Sequence, residues 1–284
     1  MKTKEKILRP SSLTSSPSIV RDIQAALDAT ANERGVFGTR FQYHDEAGST
    51  NDLAMRAAER GEPEGTVIVA GAQTAGRGRL GRTWFSPAGA GLYVSTIIRH
   101  VTLAPWITLA GGVAVAEGIR AATALPVEIK WPNDVVTVGS AGFRARRKLA
   151  GILAEAVSDG PQVQHVVLGY GINLLPAAFP PELTDRATSI ESELGRTVDA
   201  GLVLAQTLVA LNRALTEIEA GGPAALLVRW LALAPSARGA RIEWDGPGGV
   251  TLTGVTAGLA PDGALLARTA TGIDRILSGE IRWV

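Results

Sequence analysis

Apolar positions along the chain follow two rhythms. Ile19, Ile23, Ala26 and Leu27 fall at helical spacing and predict a short amphipathic helix, after a polar, Ser-rich arm that ends at Pro17. Arg40 to His44 reads as a strand. Ser49-Thr50-Asn51-Asp52 offers N-cap chemistry for a helix that ends near Gly61. Thr66 to Ala70 is a compact β-branched run, which predicts a buried strand leading into Gln73. Leu92 to Arg99 predicts another strand. Ile107 to Ala122 predicts an Ala-rich helix that packs closely through Gly111, Gly112 and Gly118.

After Pro126 the pattern changes to short strands. Val127 to Lys130, Val135 to Val138 and Lys148 to Val157 read as a hairpin arrangement, with a turn at Gly139-Ser140-Ala141-Gly142. Val163 to Leu168 continues the β content and ends at Gly169-Tyr170-Gly171-Ile172-Asn173. Gly201 to Leu233 is helical apart from a break at Gly221-Gly222-Pro223. From residue 240 the chain alternates in short strands: Arg241 to Trp244, Val250 to Val255, Ala264 to Ala267 and Glu280 to Val284. Turns at Gly246-Pro247-Gly248-Gly249 and Pro261-Asp262-Gly263 separate them, which predicts a small β-barrel. The expected organisation is an extension over 1–35 with one short helix, a main domain over 36–234 and a small domain over 235–284.

Composition narrows the function classes. The 284 residues are 46% apolar and 19% charged, with 28 Lys plus Arg against 27 Asp plus Glu. A balance this even argues against a dedicated nucleic-acid binder, so any anion binding must be local. The chain has no cysteine, which excludes disulfides, thiolate metal sites and a cysteine nucleophile. The charged N-terminus has no apolar stretch behind it, and no window approaches the roughly eighteen apolar residues of a membrane span. The expectation is a soluble, cytoplasmic protein.

The most informative run is Gly76-Arg77-Gly78-Arg79-Leu80-Gly81-Arg82-Thr83-Trp84. Its arginines offer planar forks of donors suited to phosphate or carboxylate, and its glycines allow close backbone approach. Such a loop is costly to order and suited to fold over an arriving anion. A basic solvated loop, or a segment that touches nucleic acid, is the competing reading. Ser49-Thr50-Asn51 either caps a helix or hydrogen-bonds a polar head group such as a urea. Lys130-Trp131-Pro132-Asn133-Asp134 sets a lysine, an amide and a carboxylate around a rigid corner. The lysine suits a nucleotide phosphate, and Asn133 or Asp134 suits Mg²⁺ or a ribose hydroxyl.

Lys148 opens a strand in which Gly151 leaves room for a ligand, although with Arg144, Arg146 and Arg147 it also reads as a solvated charge run. Gly169 and Gly171 allow backbone approach at a strand end, and no third glycine and helix follow to make a dinucleotide fingerprint. There is no phosphate loop of the Gly-x-x-x-x-Gly-Lys-Ser/Thr type, no Gly-x-Ser-x-Gly elbow and no His-x-x-x-His pair. His44, His100 and His165 stand singly and read as structural. The nucleophile is therefore expected to come from a substrate.

Taken in order, Ser-Thr-Asn, Gln-x-x-x-Gly-Arg-Gly-Arg-x-Gly-Arg-x-Trp, Lys-Trp-Pro-Asn-Asp, Lys-Leu-x-Gly-Ile-Leu-x-Glu and Gly-x-Gly-Ile-Asn resemble the motifs of the biotin protein ligases. The resemblance runs from about residue 36 to 230, and Gly279-Glu280-Ile281 looks like the close of that family's C-terminal SH3-like barrel. It implies an α+β fold with a mixed-sheet catalytic domain packed with helices. It implies a monofunctional enzyme that uses MgATP to turn biotin into biotinyl-5′-AMP. The biotin then passes to a specific lysine of a biotin carboxyl carrier protein, such as that of acetyl-CoA carboxylase.

The resemblance also implies site roles. Ser49, Thr50, Asn51 and Gln73 would hold the biotin head, with Arg77, Gly78 and Arg79 over its tail and Gly151, Gly169 and Gly171 beside it. Lys148, Arg77 and Arg79 would act in catalysis. Gly76, Arg79, Gly81, Arg82, Lys130, Asn133, Asp134, Lys148 and Asn173 would face ATP or the adenylate, with Trp84 against adenine. Mg²⁺ would be held mainly through the ATP phosphates, with Asp134 as a protein ligand. A lipoate or octanoate ligase on the same fold is the nearest alternative, and a nucleic-acid-binding regulator a distant one. Fewer than 45 residues precede the first core strand, too few for the winged helix of some relatives. No sequence-specific DNA binding and no membrane partner are therefore expected. An exposed sheet edge would serve carrier docking or a homodimer.

Overall fold

A computed structural model describes residues 17–138, 146–160 and 162–284. The arm before Pro17, the Gly139–Gly142 turn and Arg144 lie outside the described residues. The first helix, α1 (Pro17–Ala29), buries Ile23 and Leu27 against the core, as its spacing predicts. Then come β1 (Phe41–His44), α2 (Thr50–Glu59), β2 (Val67–Ala70), β3 (Gly91–Ile98) and α3 (Ile107–Thr123). They are followed by β4 (Val127–Lys130), β5 (Asp134–Thr137), β6 (Lys148–Asp159) and β7 (Gln162–Asn173). Helices α4 (Ile190–Leu194), α5 (Ala200–Gly221) and α6 (Ala224–Leu233) complete this part.

Seven strands form one sheet in the order β1-β2-β3-β7-β6-β5-β4. Only β1 and β2 run parallel; the other neighbours are antiparallel. This is the expected α+β arrangement with a mixed sheet. On one face, Ala54, Ala57 and Ala58 of α2 pack on Ile68, Ile97 and Val167. On the other, α3 lies between the sheet and α5. A Cβ at Gly111 would meet Leu168 and Ile152, and one at Gly118 would meet the Thr207 backbone of α5. Two of the three predicted glycine contacts therefore bring helix backbone close to its neighbours. Gly112 meets only ordinary contacts with Ile129 and Trp230.

Three expectations change. β7 does not end at Leu168: it stays paired to β3 and β6 through Asn173, so the glycine pair lies inside a central strand. Two flanking ladders hold glycines there despite their weak strand preference. A segment long and apolar enough to span a bilayer does exist, Val101–Thr123. It contains α3, and 67% of its apolar window is buried in the core. A core helix closed in by α5 and the sheet accounts for it.

The third change concerns the second sheet, β8 (Arg238–Asp245), β9 (Thr251–Leu259), β10 (Leu265–Arg268), β11 (Ile273–Ile276) and β12 (Ile281–Trp283). These strands pair antiparallel in the order β11-β10-β9-β8-β12. Bulges between Arg238 and Arg241 and between Leu266 and Ala267 mark the bends of a small SH3-like sheet. Among the described residues no pairing joins β11 to β12, so the predicted barrel is an open sheet. The three residues of β12 are taken up by β8. The strand β11 is an addition to the predicted set.

Candidate active site

A cleft of about 690 Å³ opens beside the middle of the larger sheet. Every site residue expected from sequence lines it except Gly76 and Gly81. Its floor is cut by missing side chains. A Cβ at Gly169 would run into the Asn51 amide, one at Gly171 into the Trp84 indole, and one at Gly151 into Trp84 and the Lys148 tip. Asn51, Trp84 and the Lys148 tip can therefore lie directly on β6 and β7 because these three residues are glycines.

At one end lies a cluster of neutral polar groups. Ser49 occupies the N-cap of α2, but its hydroxyl makes no capping bond. The predicted cap chemistry comes instead from Gln73, whose Oε1 accepts from the Thr50 backbone N–H at 2.8 Å and from the Thr50 hydroxyl at 3.1 Å. Gln73 Nε2 donates to Ser86 Oγ at 3.0 Å, and Ser86 Oγ donates to the Trp84 carbonyl at 3.0 Å. Asn51 is only 5% exposed; its Nδ2 donates to Glu155 at 2.6 Å and its Oδ1 accepts from Ser95 at 2.5 Å.

The arginine loop is more ordered than its composition suggests. Gly78 N–H donates to the Arg82 carbonyl at 2.7 Å and Trp84 N–H to the Gly76 carbonyl at 2.9 Å, with Arg77 bridged to Thr83. The loop is thus a small hairpin turning through Leu80 (φ 56°) and Gly81 (φ 72°). A Cβ on Gly76 would strike the Trp84 carbonyl and Ser86, so this glycine closes the hairpin and does not line the cleft. Gly81 supplies the left-handed turn.

Each loop arginine has its own anchor. Arg77 bonds Asp52 at 2.5 Å and Glu155 at 2.9 Å. Burial alone would lower its pKa, but these two carboxylates carry it above the ordinary value. Arg79 donates to Asn133 Oδ1 at 3.2 Å and reaches the Gly279 carbonyl at 3.5 Å. Burial lowers its pKa, with nearby Asp134 opposing. Arg82 pairs with Glu280 of the smaller sheet at 2.5 Å. That hydrogen bond raises the Arg82 pKa and holds the Glu280 carboxyl below its usual range.

Lys148 is placed by an irregularity in the strand. The β5–β6 register steps from Val135↔Ala150 to Val136↔Lys148, leaving Leu149 as an extra residue. Beyond the bulge, Lys148 N–H donates to the Arg186 carbonyl at 2.7 Å and its carbonyl accepts from Thr188 at 2.9 Å. Its Nζ sits 2.7 Å from Asp134 and 5.1 Å from the Trp84 ring centroid. Arg146 and Arg147 pair with Glu128 and Glu193. The solvated-charge-run reading therefore fails for residues 146 to 148: each of these cations has a carboxylate partner fixed by a neighbouring element.

The Lys130-Trp131-Pro132-Asn133-Asp134 corner joins β4 to β5, with a cis Trp131–Pro132 peptide. Asn133 is held by Ile152, donating to its carbonyl at 2.8 Å. Burial lowers the Lys130 pKa, while Asp134 and Glu280 oppose the shift. Trp131 is 5% exposed and donates to the Gly263 carbonyl at 3.2 Å, tying the corner to the smaller sheet. Asn173 is 3% exposed and spends its Nδ2 on the Thr188 carbonyl at 2.9 Å. It braces the segment beside Lys148.

Sequence reasoning missed several cleft residues. Glu280 and Trp283 arrive from the smaller sheet, where Trp283 lies 5.0 Å from Lys130 and 4.9 Å from Arg146 by ring centroid. Ser95 sits beneath the polar cluster, and Phe179 and Arg186 line the outer wall. Glu155 stood in a quoted motif without a role. Only Glu155 had a usable signal, as a carboxylate in an otherwise apolar strand run. Trp84 lies against Gly151 and Gly171, so its indole fills part of the space expected for the biotin side.

Among the described residues no group of three His, Cys, Asp or Glu could hold a metal ion. Asp134 and Glu280 are the acidic side chains lining the cleft, and Asp134 pairs with Lys148 at 2.7 Å. That donor set fits Mg²⁺ arriving on a triphosphate and keeping most of its oxygen ligands from phosphate and water.

Comparisons with known proteins agree with this geometry. Residues 47–173 match the Biotin/lipoate A/B protein ligase family. The bifunctional ligase/repressor BirA of Bacillus subtilis is 35% identical, over 87% of this chain and 74% of that protein. The biotin–[acetyl-CoA-carboxylase] ligase of Paracoccus denitrificans is 33% identical, over 82% of this chain and 96% of its own. The structure resembles the biotin protein ligase from Aquifex aeolicus in complex with biotin and ATP, with a TM-score of 0.71 and 30% identity. That likeness covers 87% of this chain and 99% of the other. The chain belongs to the biotin/lipoate protein ligase family.

Proposed function

We propose that this chain is a biotin protein ligase that activates biotin with ATP and transfers it to a lysine of a carrier protein. The observation that carries the reading is one continuous cleft. It joins the neutral cluster of Thr50, Asn51 and Gln73 to a cationic end holding Arg79, Lys130 and Lys148. The neutral end suits a urea-like head and the cationic end suits a triphosphate. Lys148 would meet the carboxylate that must reach the phosphate. The named relatives are biotin ligases, which favours biotin over lipoate or octanoate.

In the first half-reaction a biotin carboxylate oxygen forms a bond to the α-phosphorus of ATP, and the bond to pyrophosphate breaks. Negative charge crowds at that point. Arg79 and Lys148 offset it, each charge-assisted hydrogen bond contributing roughly 1.5–3 kcal/mol. Lys130 and Asn133 face the triphosphate. Bound Mg²⁺ would screen the β- and γ-phosphates, with Asp134 as its protein ligand. In the second half-reaction the carrier lysine nitrogen attacks the acyl carbon. The carbon–oxygen bond to AMP breaks and the amine proton is released. The hairpin of residues 76 to 84 excludes water that would hydrolyse the mixed anhydride. Dependence on ATP supports a cytoplasmic setting. Residues 36–234 would form the catalytic domain and 235–284 the smaller one.

The test is to incubate the protein with biotin, MgATP and a biotin carrier domain and read the carrier's mass. The expected result is an ATP-dependent gain of one biotin that falls sharply in Arg79→Ala and Lys148→Ala. Transfer of lipoate or octanoate instead would leave the fold assignment and remove the substrate assignment. No transfer of any acyl group would remove the ligase reading.

A further inference from the structure

Arg77, Arg79 and Lys148 share one cleft but differ in their partners. Arg79 bonds an amide oxygen and a backbone carbonyl, both neutral. Lys148 pairs with one carboxylate, Asp134. Arg77 pairs with two. Its Nη1 lies 2.5 Å from Asp52 Oδ1, and its Nη2 lies 2.9 Å and 3.3 Å from the two oxygens of Glu155. One positive charge therefore stands between two negative ones. The trio is net negative and has no surplus to offset the charge of a phosphate.

The same bonds tie the hairpin to the body of the main domain. Asp52 lies in the first turn of α2 and Glu155 on β6. Arg77 lies in the hairpin stem, where its backbone bridges Thr83. At the base of the stem, the Thr74 and Ala75 N–H groups donate to the Ala47 and Gly48 carbonyls at 2.9 Å and 2.7 Å. Toward the tip, Arg79 reaches Asn133 and Arg82 reaches Glu280. Those tip contacts lie at the cationic end, where a triphosphate competes for the arginines. The Arg77 bonds lie beside Asn51 at the neutral end, and no phosphate competes for them.

We propose that Asp52 and Glu155 are positioning residues that latch Arg77, so that Arg77 holds the hairpin shut over the adenylate and does not meet the reacting phosphate. The proposal rests on the ligase reading and replaces the catalytic role that family resemblance implies for Arg77. Asp52 does not line the cleft, so any effect of removing it on a bound molecule must pass through its neighbours. The three side chains are 29% to 38% exposed, which keeps each ion pair weak. Two weak pairs on one guanidinium still make a hold that opens and recloses.

The test times the escape of the adenylate. It is formed in place from labelled biotin and MgATP, then chased with excess unlabelled biotinyl-5′-AMP. Escape should quicken about two- to fivefold in Asp52→Ala and in Glu155→Gln, which keeps an acceptor for Asn51. Arg77→Ala loses both pairs and should quicken it about four- to 25-fold. Adding Asp52→Ala to Arg77→Ala should change escape by less than about 1.5-fold, because the latch is already open. Were Arg77 instead a phosphate ligand, Asp52→Ala would free its charge and slow escape.

Unchanged or slower escape in Asp52→Ala would overturn the proposal. So would a full Asp52→Ala effect in the Arg77→Ala background, since that marks a role in the first turn of α2 alone. Should Asp52→Ala lose its cooperative melt, the same cycle is run with Glu155→Gln. Failure of wild type to form any adenylate would sink the ligase reading. The latch is then read from tryptic cleavage after Arg79 and Arg82 in the unliganded protein. Cleavage should quicken about two- to fivefold in Asp52→Ala and Glu155→Gln, and no change would overturn it.

Discussion

Lys148 and Gly151 face the same side of β6: Cε and Nζ of the lysine lie 3.3 Å from where a Gly151 Cβ would stand. In a regular strand, residues 148 and 151 point to opposite faces. The extra residue at Leu149 reverses the alternation and aims the ammonium into the cleft. Lys148→Arg should therefore restore only part of the adenylation rate lost in Lys148→Ala. The charge is kept, but a branched guanidinium meets Trp84 and Gly151 in a space fitted to an unbranched tip. Pyrophosphate exchange should rank wild type above arginine and arginine above alanine, with alanine down by about 10- to 150-fold. Full recovery in Lys148→Arg would mean that charge alone matters there.

Adding one methyl group should damage the cleft at Gly169 and be tolerated at Gly78. Gly169→Ala drives a Cβ into the Asn51 amide, whereas a Cβ at Gly78 finds only ordinary contacts with Arg82 from 3.5 Å. Overpacking of this kind costs about 1–3 kcal/mol, or about 5- to 150-fold in biotin affinity if Asn51 yields. Titration calorimetry should find Gly169→Ala weak and Gly78→Ala close to wild type. Equal affinities would show that Asn51 moves aside freely.

Lys130 gives a pH dependence whose sign is fixed by burial. Its pKa lies below the ordinary 10.5, so on an alkaline titration it loses its charge before an exposed lysine would. KM for ATP should rise as pH climbs through that lowered value, and Lys130→Arg should flatten the rise. Stability should move the other way. The unfolded chain binds more protons than the folded one between the two pKa values, so this residue's contribution to stability increases with pH there. A KM for ATP that is flat up to pH 10.5 would remove Lys130 from triphosphate binding.

The Arg82–Glu280 pair spans the hairpin and the smaller sheet, with side-chain exposures of 63% and 37%. At that exposure a double-mutant cycle should give a coupling of no more than about 1 kcal/mol. Glu280 has a lowered pKa, so its contribution is complete above its unfolded value of 4.5 and is lost only as pH falls through the lower folded one. Coupling that disappears above pH 5 would contradict this arrangement.

Leu80 is 71% exposed and holds φ at 56°, a conformation that costs a branched residue about 1–2 kcal/mol. Asparagine tolerates it better. Leu80→Asn should slow tryptic cleavage within residues 77 to 82 severalfold, because the closed hairpin is favoured and no packing is lost. Faster cleavage would mean that Leu80 makes a contact worth more than its strain.

The strands and helices were largely legible because each carries its own periodicity, as in the four buried residues of β2 or the Ala-rich α3. The cleft motifs were legible because glycine, arginine and the Trp-Pro corner are unusual in what they allow. What could not be read were relationships between distant segments. Nothing near Trp283 says that it will lie beside Lys130, and nothing near Gln73 says that it will satisfy the first turn of α2. The end of β7 was misplaced because glycine lowers strand preference locally, while pairing on both sides decides the outcome. The bulge at Leu149 left no mark in the apolar pattern, since the extra residue is itself apolar and fully buried.

The glycine floor has a consequence for changing what the protein accepts. Gly151, Gly169 and Gly171 have already given up every side-chain atom they had, so the sheet cannot be hollowed further. The largest side chain lying on that floor is the Trp84 indole over Gly151 and Gly171, carried on the hairpin. An acid wider than the natural one would have to find its room there, in the roof. Recognition and enlargement of this cleft thus belong to different parts of the chain.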